Sequence, residues 1–240
     1  MARDPEKLTV QANERDAVTA LLYASPKRER KSVTLILGHG AGANQLHPFM
    51  QVFAKGLAAR GLDVLTFNFV YMDQGRHVPD PKAKLEACYS AVIEAAQKHA
   101  KLKGNRTVIG GKSMGGRIAS QVAAAIQAGN SEKPAIAGLI FLGYPLHPPG
   151  NPEKRRDAHL DQIKSPMLFI QGSRDAFGTR DEIQDLIKRL KLPATLHAVE
   201  GGDHSLKAPK SSGLTQEQVY ESAMDRITDA IANWIDSEPR

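Results

Sequence analysis

Short runs of apolar residues recur along the chain, and stretches with helical periodicity separate them. The runs are rich in β-branched residues and nearly continuous, as expected for strands that helices bury on both faces. They cover 33–37, 64–69, 107–109, 136–142, 167–170 and 195–199. Two further segments, 8–11 and 17–23, are candidates for one or two edge strands.

The intervening stretches place apolar residues every three or four positions, which is typical of amphipathic helices. One covers 47–60, where Pro48 suits a first helical turn, and another covers 82–102. Two later helices begin with capping boxes, formed by Thr179 with Glu182 and by Thr215 with Gln218. Alternating strands and helices predict one α/β domain over 1–240, with a doubly wound, mostly parallel sheet and helices on both faces.

Composition narrows the class of protein. Of the 240 residues, 41% are hydrophobic, which suffices for the core of one such domain. No apolar stretch approaches the roughly 18 residues of a membrane span, and no charged-then-apolar signal opens the chain. We therefore expect a cytoplasmic protein without membrane association, as a monomer or homodimer. The single cysteine, Cys88, excludes an internal disulfide and a cysteine-based metal site.

The net charge of +6 raises the question of a nucleic-acid partner. No nucleic-acid motif accompanies the basic residues, and no aromatic residues are interleaved with them. We interpret the charge as a solvated surface and expect no nucleic-acid binding.

The segment Gly111-Lys112-Ser113-Met114-Gly115 lies between an apolar run and a helical run of small residues. A G-x-S-x-G segment at a strand-to-helix turn is a nucleophile elbow, in which a sharp turn holds the serine hydroxyl above the sheet. Ser113 is therefore the candidate nucleophile, and it needs a base to take its proton. Lys112 and Arg117 flank it, and we interpret both as partly exposed supports.

Two more strand ends carry the other side chains that acyl transfer needs. Asp175 follows the run at 167–170 and His204 follows the run at 195–199, which gives the chain order of α/β-hydrolases. His204 would act as the general base, and Asp175 would hold its imidazole in the required tautomer. Asp203 is an alternative acid, but adjacent side chains in an extended loop diverge, so we favour Asp175.

A further strand end is rich in glycine, with the sequence Gly38-His39-Gly40-Ala41-Gly42. Backbone N–H groups in such a turn can face a developing oxyanion, and we assign this role to Ala41 together with Met114. His39 either orients the turn or packs beneath it. The other histidines show no metal-ligand spacing, and a serine mechanism requires neither metal nor cofactor, so we expect none.

These segments resemble those of the serine-nucleophile α/β-hydrolases, from residue 33 to the last helix. The similar proteins include small hydrolases near the dienelactone-hydrolase branch, such as testis-expressed hydrolase-like proteins. The Tyr144-Pro145-Leu146-His147-Pro148 segment is the most specific to that group. The resemblance implies a sheet of about seven or eight strands and a triad of Ser113, Asp175 and His204. Dienelactone hydrolases proper use a cysteine nucleophile, so their substrate does not carry over.

The region 144–161 is short, rich in proline and charged, and therefore too small for a cap domain. We expect a minimal lid and an open site that suits small or extended acyl groups better than one long lipid tail. Candidate pocket walls are His39, Tyr71, Met72, Tyr144 and His147.

The function predicted from the sequence is cleavage of a carboxylic ester or thioester of a small-molecule acyl substrate, through an acyl-enzyme intermediate. An amidase, peptidase or perhydrolase could use the same triad. A non-catalytic scaffold is a further alternative, because a hydrolase-like subunit of a chromatin acetyltransferase complex is among the similar proteins.

Overall fold

The computed structural model describes residues 4–129 and 135–236, and the strands of these two ranges form one eight-stranded sheet. The strands are β1 (Glu6–Gln11), β2 (Ala17–Tyr23), β3 (Val33–Gly38), β4 (Asp63–Phe67), β5 (Arg106–Lys112), β6 (Ile136–Leu142), β7 (Met167–Gly172) and β8 (Ala194–Val199). Their order across the sheet is β1-β2-β4-β3-β5-β6-β7-β8. All residues of β3, β4 and β7 are buried, which explains why their sequences are mostly apolar.

Strand direction follows the prediction of a mostly parallel sheet. The six strands from β4 to β8 in spatial order are parallel to one another, whereas β1 and β2 are antiparallel and extend the sheet at the β4 side. Both candidate strands are therefore present, and β1 forms the edge of the sheet. Because the order reverses around β3, the loops that follow β3 and β5 meet at the carboxyl edge of the sheet.

Helices cover both faces of the sheet, as predicted. They are α1 (Pro48–Ala59), α2 (Val70–Asp73), α3 (Lys82–Lys98), α4 (Met114–Ala128), α5 (Arg180–Leu190) and α6 (Gln216–Asp236). The apolar residues of α1 and α6 pack into one core, and those of α3, α4 and α5 pack into the other. Cys88 lies buried in the second of these cores. Both predicted capping boxes are formed, at the starts of α5 and α6.

Two element bounds differ from the prediction. The apolar run at 64–69 ends as a strand at Phe67, and Phe69 precedes the short helix α2. Phe69 and Val70 are apolar because they are buried in the core, which periodicity alone cannot distinguish from strand. The helix predicted to reach residue 102 ends at Lys98, where His99 adopts an extended conformation.

The connection between β6 and β7 is the place where a lid would be inserted. Between Gly143 and Pro166 it contains a single 3₁₀ turn, Leu160–Gln162. In the described part of the chain, the helices are all too short or too polar to cross a membrane.

Candidate active site

Ser113 occupies the turn between β5 and α4 in a conformation that is rare for a non-glycine residue, with φ 51° and ψ −114°. The backbone around it leaves no room for side chains. A Cβ atom at Gly111 would lie 2.2 Å from the carbonyl oxygen of Gly38, and a Cβ atom at Gly115 would lie 2.1 Å from the same oxygen. Glycine on both sides thus permits the sharp turn that raises the serine hydroxyl above the sheet.

The structure brings Ser113, His204 and Asp175 into one hydrogen-bonded line. Nε2 of His204 lies 2.8 Å from Oγ of Ser113, and Nδ1 lies 2.7 Å from Oδ2 of Asp175. With the Nδ1 proton directed at the carboxylate, Nε2 is free to accept the serine proton. The ring of Phe177 lies over the imidazole, with 4.3 Å between the ring centroids.

Asp175 is fully buried, so its carboxylate requires compensating donors. Its Oδ1 accepts the Phe177 N–H over 2.8 Å, and its Oδ2 accepts the side-chain amide of Gln171 over 2.8 Å. The alternative acid, Asp203, instead accepts the backbone N–H groups of Ser205 and Lys207 and so holds the histidine loop together. Asp175 is therefore the carboxylate that contacts His204.

Gln171 is a site residue that we did not single out from the sequence. It is fully buried at the end of β7, donates also to the carbonyl oxygen of Gly178, and accepts the N–H of Tyr144. The signal was available, because Gln171 is a polar residue at the end of an otherwise apolar strand and lies four positions before Asp175.

The backbone N–H groups of Ala41 and Met114 have no hydrogen-bond acceptor among the described residues. Both residues line the cleft that contains Ser113. This placement fits two donors for a negatively charged oxygen on a carbon attacked by the serine.

His39 lies beneath the glycine-rich turn and connects it to the chain that follows β4. Its Nδ1 is 2.8 Å from the carbonyl oxygen of Gly40, and its Nε2 accepts the N–H of Phe69 over 3.1 Å. Burial lowers the pKa of His39 to about 4, so the ring is neutral at pH 7 and can both donate and accept. Of our two interpretations, the contacts favour the one in which His39 orients the turn.

A cleft of about 740 Å³ opens above Ser113, and none of the five predicted wall residues lines it. His39, Tyr71, Tyr144 and His147 are buried, and Met72 lies half-buried in α2. The two tyrosine rings are fully buried, and their hydroxyls are satisfied by backbone carbonyls, Tyr71 by Ala41 and Tyr144 by Arg156. They support the walls instead of forming them.

The walls come mainly from segments that we had not assigned to the pocket. They include the start of α1, with Phe49 and Val52, the loop before α3, Phe177 from the loop after β7, and Tyr220 from the start of α6. Arg117, in the first turn of α4, also lines the cleft. A sequence does not show which side of a loop faces a cleft, and this accounts for the difference.

Lys112 is half-buried and also lines the cleft, as a support for the histidine loop. Its Nζ donates to the backbone carbonyl oxygen of His204 and lies 5.7 Å from the centre of the Phe49 ring. Burial lowers the pKa of Lys112 to about 8, although the carboxylates of Asp175 and Asp203 act in the opposite direction. Within the two described ranges, no group of three or more potential metal ligands is gathered at this or another place.

Comparison with known proteins places this geometry in context. Residues 31–232 match a family model described as an α/β hydrolase domain. Among solved structures, an α/β serine hydrolase homologue from Coxiella burnetii is 19% identical, with a TM-score of 0.69 over 97% of this chain and 98% of its own. A lidless serine hydrolase from Xanthomonas campestris is 16% identical, with a TM-score of 0.68 over 100% and 99%.

A dienelactone hydrolase from Anabaena variabilis is likewise 16% identical, with a TM-score of 0.70 over 99% of this chain and 100% of its own. At these identities the structures establish similarity of fold. Together with the family model, they confirm the resemblance to serine α/β-hydrolases that we drew from the sequence, including those similar to dienelactone hydrolase.

Proposed function

The chain belongs to the α/β-hydrolase domain family, and from this premise we propose that it is a serine hydrolase that cleaves carboxylic esters or thioesters through an acyl-enzyme intermediate. The observation that carries the proposal is the line of hydrogen bonds from Ser113 through His204 to Asp175, with distances of 2.8 and 2.7 Å.

In the acylation step, Ser113 Oγ attacks the carbonyl carbon of the substrate while Nε2 of His204 takes the serine proton. Asp175 keeps the imidazole oriented and stabilises the imidazolium that forms. The carbonyl oxygen becomes negatively charged and accepts the N–H groups of Ala41 and Met114. His204 then transfers its proton to the leaving alcohol or thiol as the tetrahedral intermediate collapses.

In the deacylation step, a water molecule takes the place of the leaving group. His204 removes a proton from this water as it attacks the acyl carbon, and the same two N–H groups stabilise the second oxyanion. Ser113 regains its proton when the carboxylic acid departs. The balance of protons requires no group beyond these residues and water.

The backbone conformation of Ser113 supports catalysis over a scaffolding role. Such a conformation costs on the order of 1–3 kcal/mol and persists where the surrounding structure enforces it, which is common at active sites. A non-catalytic scaffold would have no use for a strained serine beside a histidine and two unpaired N–H groups.

The proposal is tested by labelling the protein with a fluorophosphonate probe and locating the label by mass spectrometry. We expect one label on Ser113 in the wild type and none in Ser113→Ala. Ser205→Ala is the matched control, because Ser205 also lines the cleft but makes no hydrogen bond to His204, and it should be labelled like the wild type.

The proteins that the probe labels should also hydrolyse para-nitrophenyl acetate and butyrate, and Ser113→Ala should not. A folded wild-type protein that neither reacts with the probe nor hydrolyses these esters would contradict the proposal and favour the scaffold. Cleavage of the corresponding anilides at a rate similar to that of the esters would instead indicate an amidase.

A further inference from the structure

Two guanidinium groups face the cleft of Ser113 without an anionic partner. Arg117 projects from the first turn of α4, four residues after Ser113, and Arg156 comes from the connection between β6 and β7. Neither forms a salt bridge with any carboxylate of the described residues. The nearest polar contact of the Arg156 guanidinium is the carbonyl oxygen of Pro145, 3.5 Å from Nη1.

The Nε atom of Arg117 is buried and has no acceptor among the residues that the structure describes. Buried polar atoms in proteins nearly always have a hydrogen-bond partner, and a buried donor that lacks one is costly. The two guanidiniums also repel each other. Burial and the charge of Arg156 together lower the pKa of Arg117, although the charge of Glu86 acts in the opposite direction.

The carboxylates nearest to the cleft are already engaged elsewhere. Asp80 accepts the backbone N–H of Tyr71 and pairs with Arg76. Glu86 pairs with Lys82 over 3.4 Å and makes no hydrogen bond to Arg117. Among the described residues, neither Arg117 nor Arg156 therefore has a carboxylate in salt-bridge contact at the wall of the cleft.

The neighbouring arginine gives an internal comparison. Nε of Arg155 lies 2.7 Å from Oδ2 of Asp157, an aspartate that Arg189 also contacts over 2.6 Å. Arginine in this segment is thus paired where a carboxylate is near, and only Arg156 turns towards the cleft.

We propose that Arg117 and Arg156 bind a carboxylate group of the substrate, so that the esters or thioesters cleaved at Ser113 carry a negative charge near the reacting carbonyl. The planar guanidinium forms two parallel hydrogen bonds with a carboxylate, so one arginine balances its charge and the second can donate to its remaining lone pairs. This inference rests on the proposed hydrolase function, since it concerns the substrate of the same site.

Equilibrium binding to Ser113→Ala tests the inference without requiring turnover. Two probe pairs are used, and in each the anion differs from its neutral partner by methylation of one carboxylate. Para-acetoxybenzoate carries the charge on the leaving group, and monophenyl adipate carries it on the acyl group. For one of the two pairs, we expect the anion to bind at least about tenfold more tightly than the neutral ester, as for a charged hydrogen bond.

That preference should disappear when Arg117→Gln or Arg156→Gln is combined with Ser113→Ala. The two substitutions lie on separate segments, so misfolding of one leaves the other informative. Arg155→Gln is the matched control: it removes the same charge from the adjacent position and should keep the preference.

The outcomes separate the two proposals. Equal binding of anionic and neutral probes in both pairs overturns the carboxylate subsite, whatever the activity of the wild type. A preference that survives both arginine substitutions overturns it as well. Preference for the anion in a protein whose Ser113 does not react with fluorophosphonate supports the subsite and contradicts only the hydrolase proposal.

Discussion

The hydroxyl of Tyr71 donates a hydrogen bond to the carbonyl oxygen of Ala41 over 2.9 Å. The tyrosine is fully buried in α2, and Ala41 lies in the glycine-rich turn after β3. The imidazole of His39 connects the same two segments through the N–H of Phe69. The short helix α2, which follows the neighbouring strand β4, therefore fixes the turn that contains the Ala41 N–H.

Tyr71→Phe should reduce kcat for an activated ester while leaving KM nearly unchanged, because Tyr71 acts only through the position of the Ala41 N–H. Loss of an oxyanion donor costs on the order of a hundredfold in kcat, and a misplaced donor should cost less, about tenfold. Tyr23→Phe is the control, since it removes a hydroxyl from another buried tyrosine, in β2, away from the cleft. An equal effect of the two substitutions on kcat would contradict the positioning role.

Gln171→Leu should lower both stability and kcat. The substitution removes the side-chain donor to Asp175 Oδ2 and leaves that buried carboxylate with the Phe177 N–H and His204 as partners. We expect a loss of roughly 1–3 kcal/mol in the free energy of unfolding, measured by urea denaturation. Gln127→Leu, at the end of α4, removes a glutamine that bonds to Ser165 far from the triad, and it should leave kcat unchanged. Wild-type kcat in Gln171→Leu would show that the Phe177 N–H alone orients Asp175.

The parts of the site predicted from the sequence are those that depend on chain order along buried strands. Ser113, Asp175 and His204 each follow an apolar run, and parallel strands bring their carboxyl ends to one edge of the sheet, so their proximity follows from the pattern. The pocket walls depend instead on which side of a loop is buried. Tyr71 and Tyr144 follow strands as wall residues would, but the free energy gained by burying an aromatic ring with a bonded hydroxyl turns both away from the cleft.

The charge of the cleft could be predicted only in part. Arg117 falls in the first turn after the nucleophile, so its proximity to the site follows from helical geometry. Arg156 is forty-three residues further along the chain than Ser113, in a connection without strands. Its orientation towards Arg117, and that of Arg155 towards Asp157, depends on loop packing that no periodicity encodes.

The free energy of unfolding should fall as the pH is lowered from 6.5 to 4, in part because of His39. Its pKa is about 4 in the folded protein and 6.5 in the unfolded chain, so the unfolded chain binds more protons in this window and stability is lost. The contribution is fully present above pH 6.5 and amounts to about 3 kcal/mol. The cause is specific, since a protonated Nε2 could not accept the Phe69 N–H.

Urea unfolding of wild type and His39→Gln at several pH values between 4 and 7 measures this contribution. The variant should be less stable at pH 7, and its free energy of unfolding should fall less steeply as the pH is lowered. Part of the slope should remain, because burial also lowers the pKa of His159 to about 4. Equal slopes for the two proteins would contradict this contribution, because they would mean that folding does not lower the pKa of His39.

Lys112 should also make the free energy of unfolding depend on pH, in this case above neutral pH. Its pKa is about 8 in the folded protein against 10.5 in the unfolded chain, so the unfolded chain binds more protons between these values. Stability therefore rises with pH in that window, as the cost of a charged lysine in the half-buried site disappears. Lys112→Met should lack this rise, which urea unfolding at pH 8, 9 and 10 would measure. An identical rise in wild type and variant would assign it to other groups.

Short acyl esters should be cleaved with a higher kcat/KM than long ones. The connection between β6 and β7 contains only one 3₁₀ turn, so the structure supplies no helical lid to cover an alkyl chain. The cleft of about 740 Å³ is also lined by Arg117 and Arg156. An alkyl tail placed against these two guanidiniums would displace their water and offer no hydrogen-bond acceptor in its place, which is unfavourable.

A panel of para-nitrophenyl acetate, butyrate, octanoate and palmitate tests this expectation, with kcat/KM highest for acetate or butyrate. Arg117→Gln should reduce the difference in kcat/KM between short and long esters, since removing one charge lowers the cost of placing an alkyl chain at that wall. Its matched control is Arg155→Gln, whose arginine pairs with Asp157 outside the cleft and which should keep the wild-type order. If palmitate were the best substrate, the apolar side chains at the mouth, such as Val52 with 42% exposure, would have to bind the chain, and the open cleft would not select for short acyl groups.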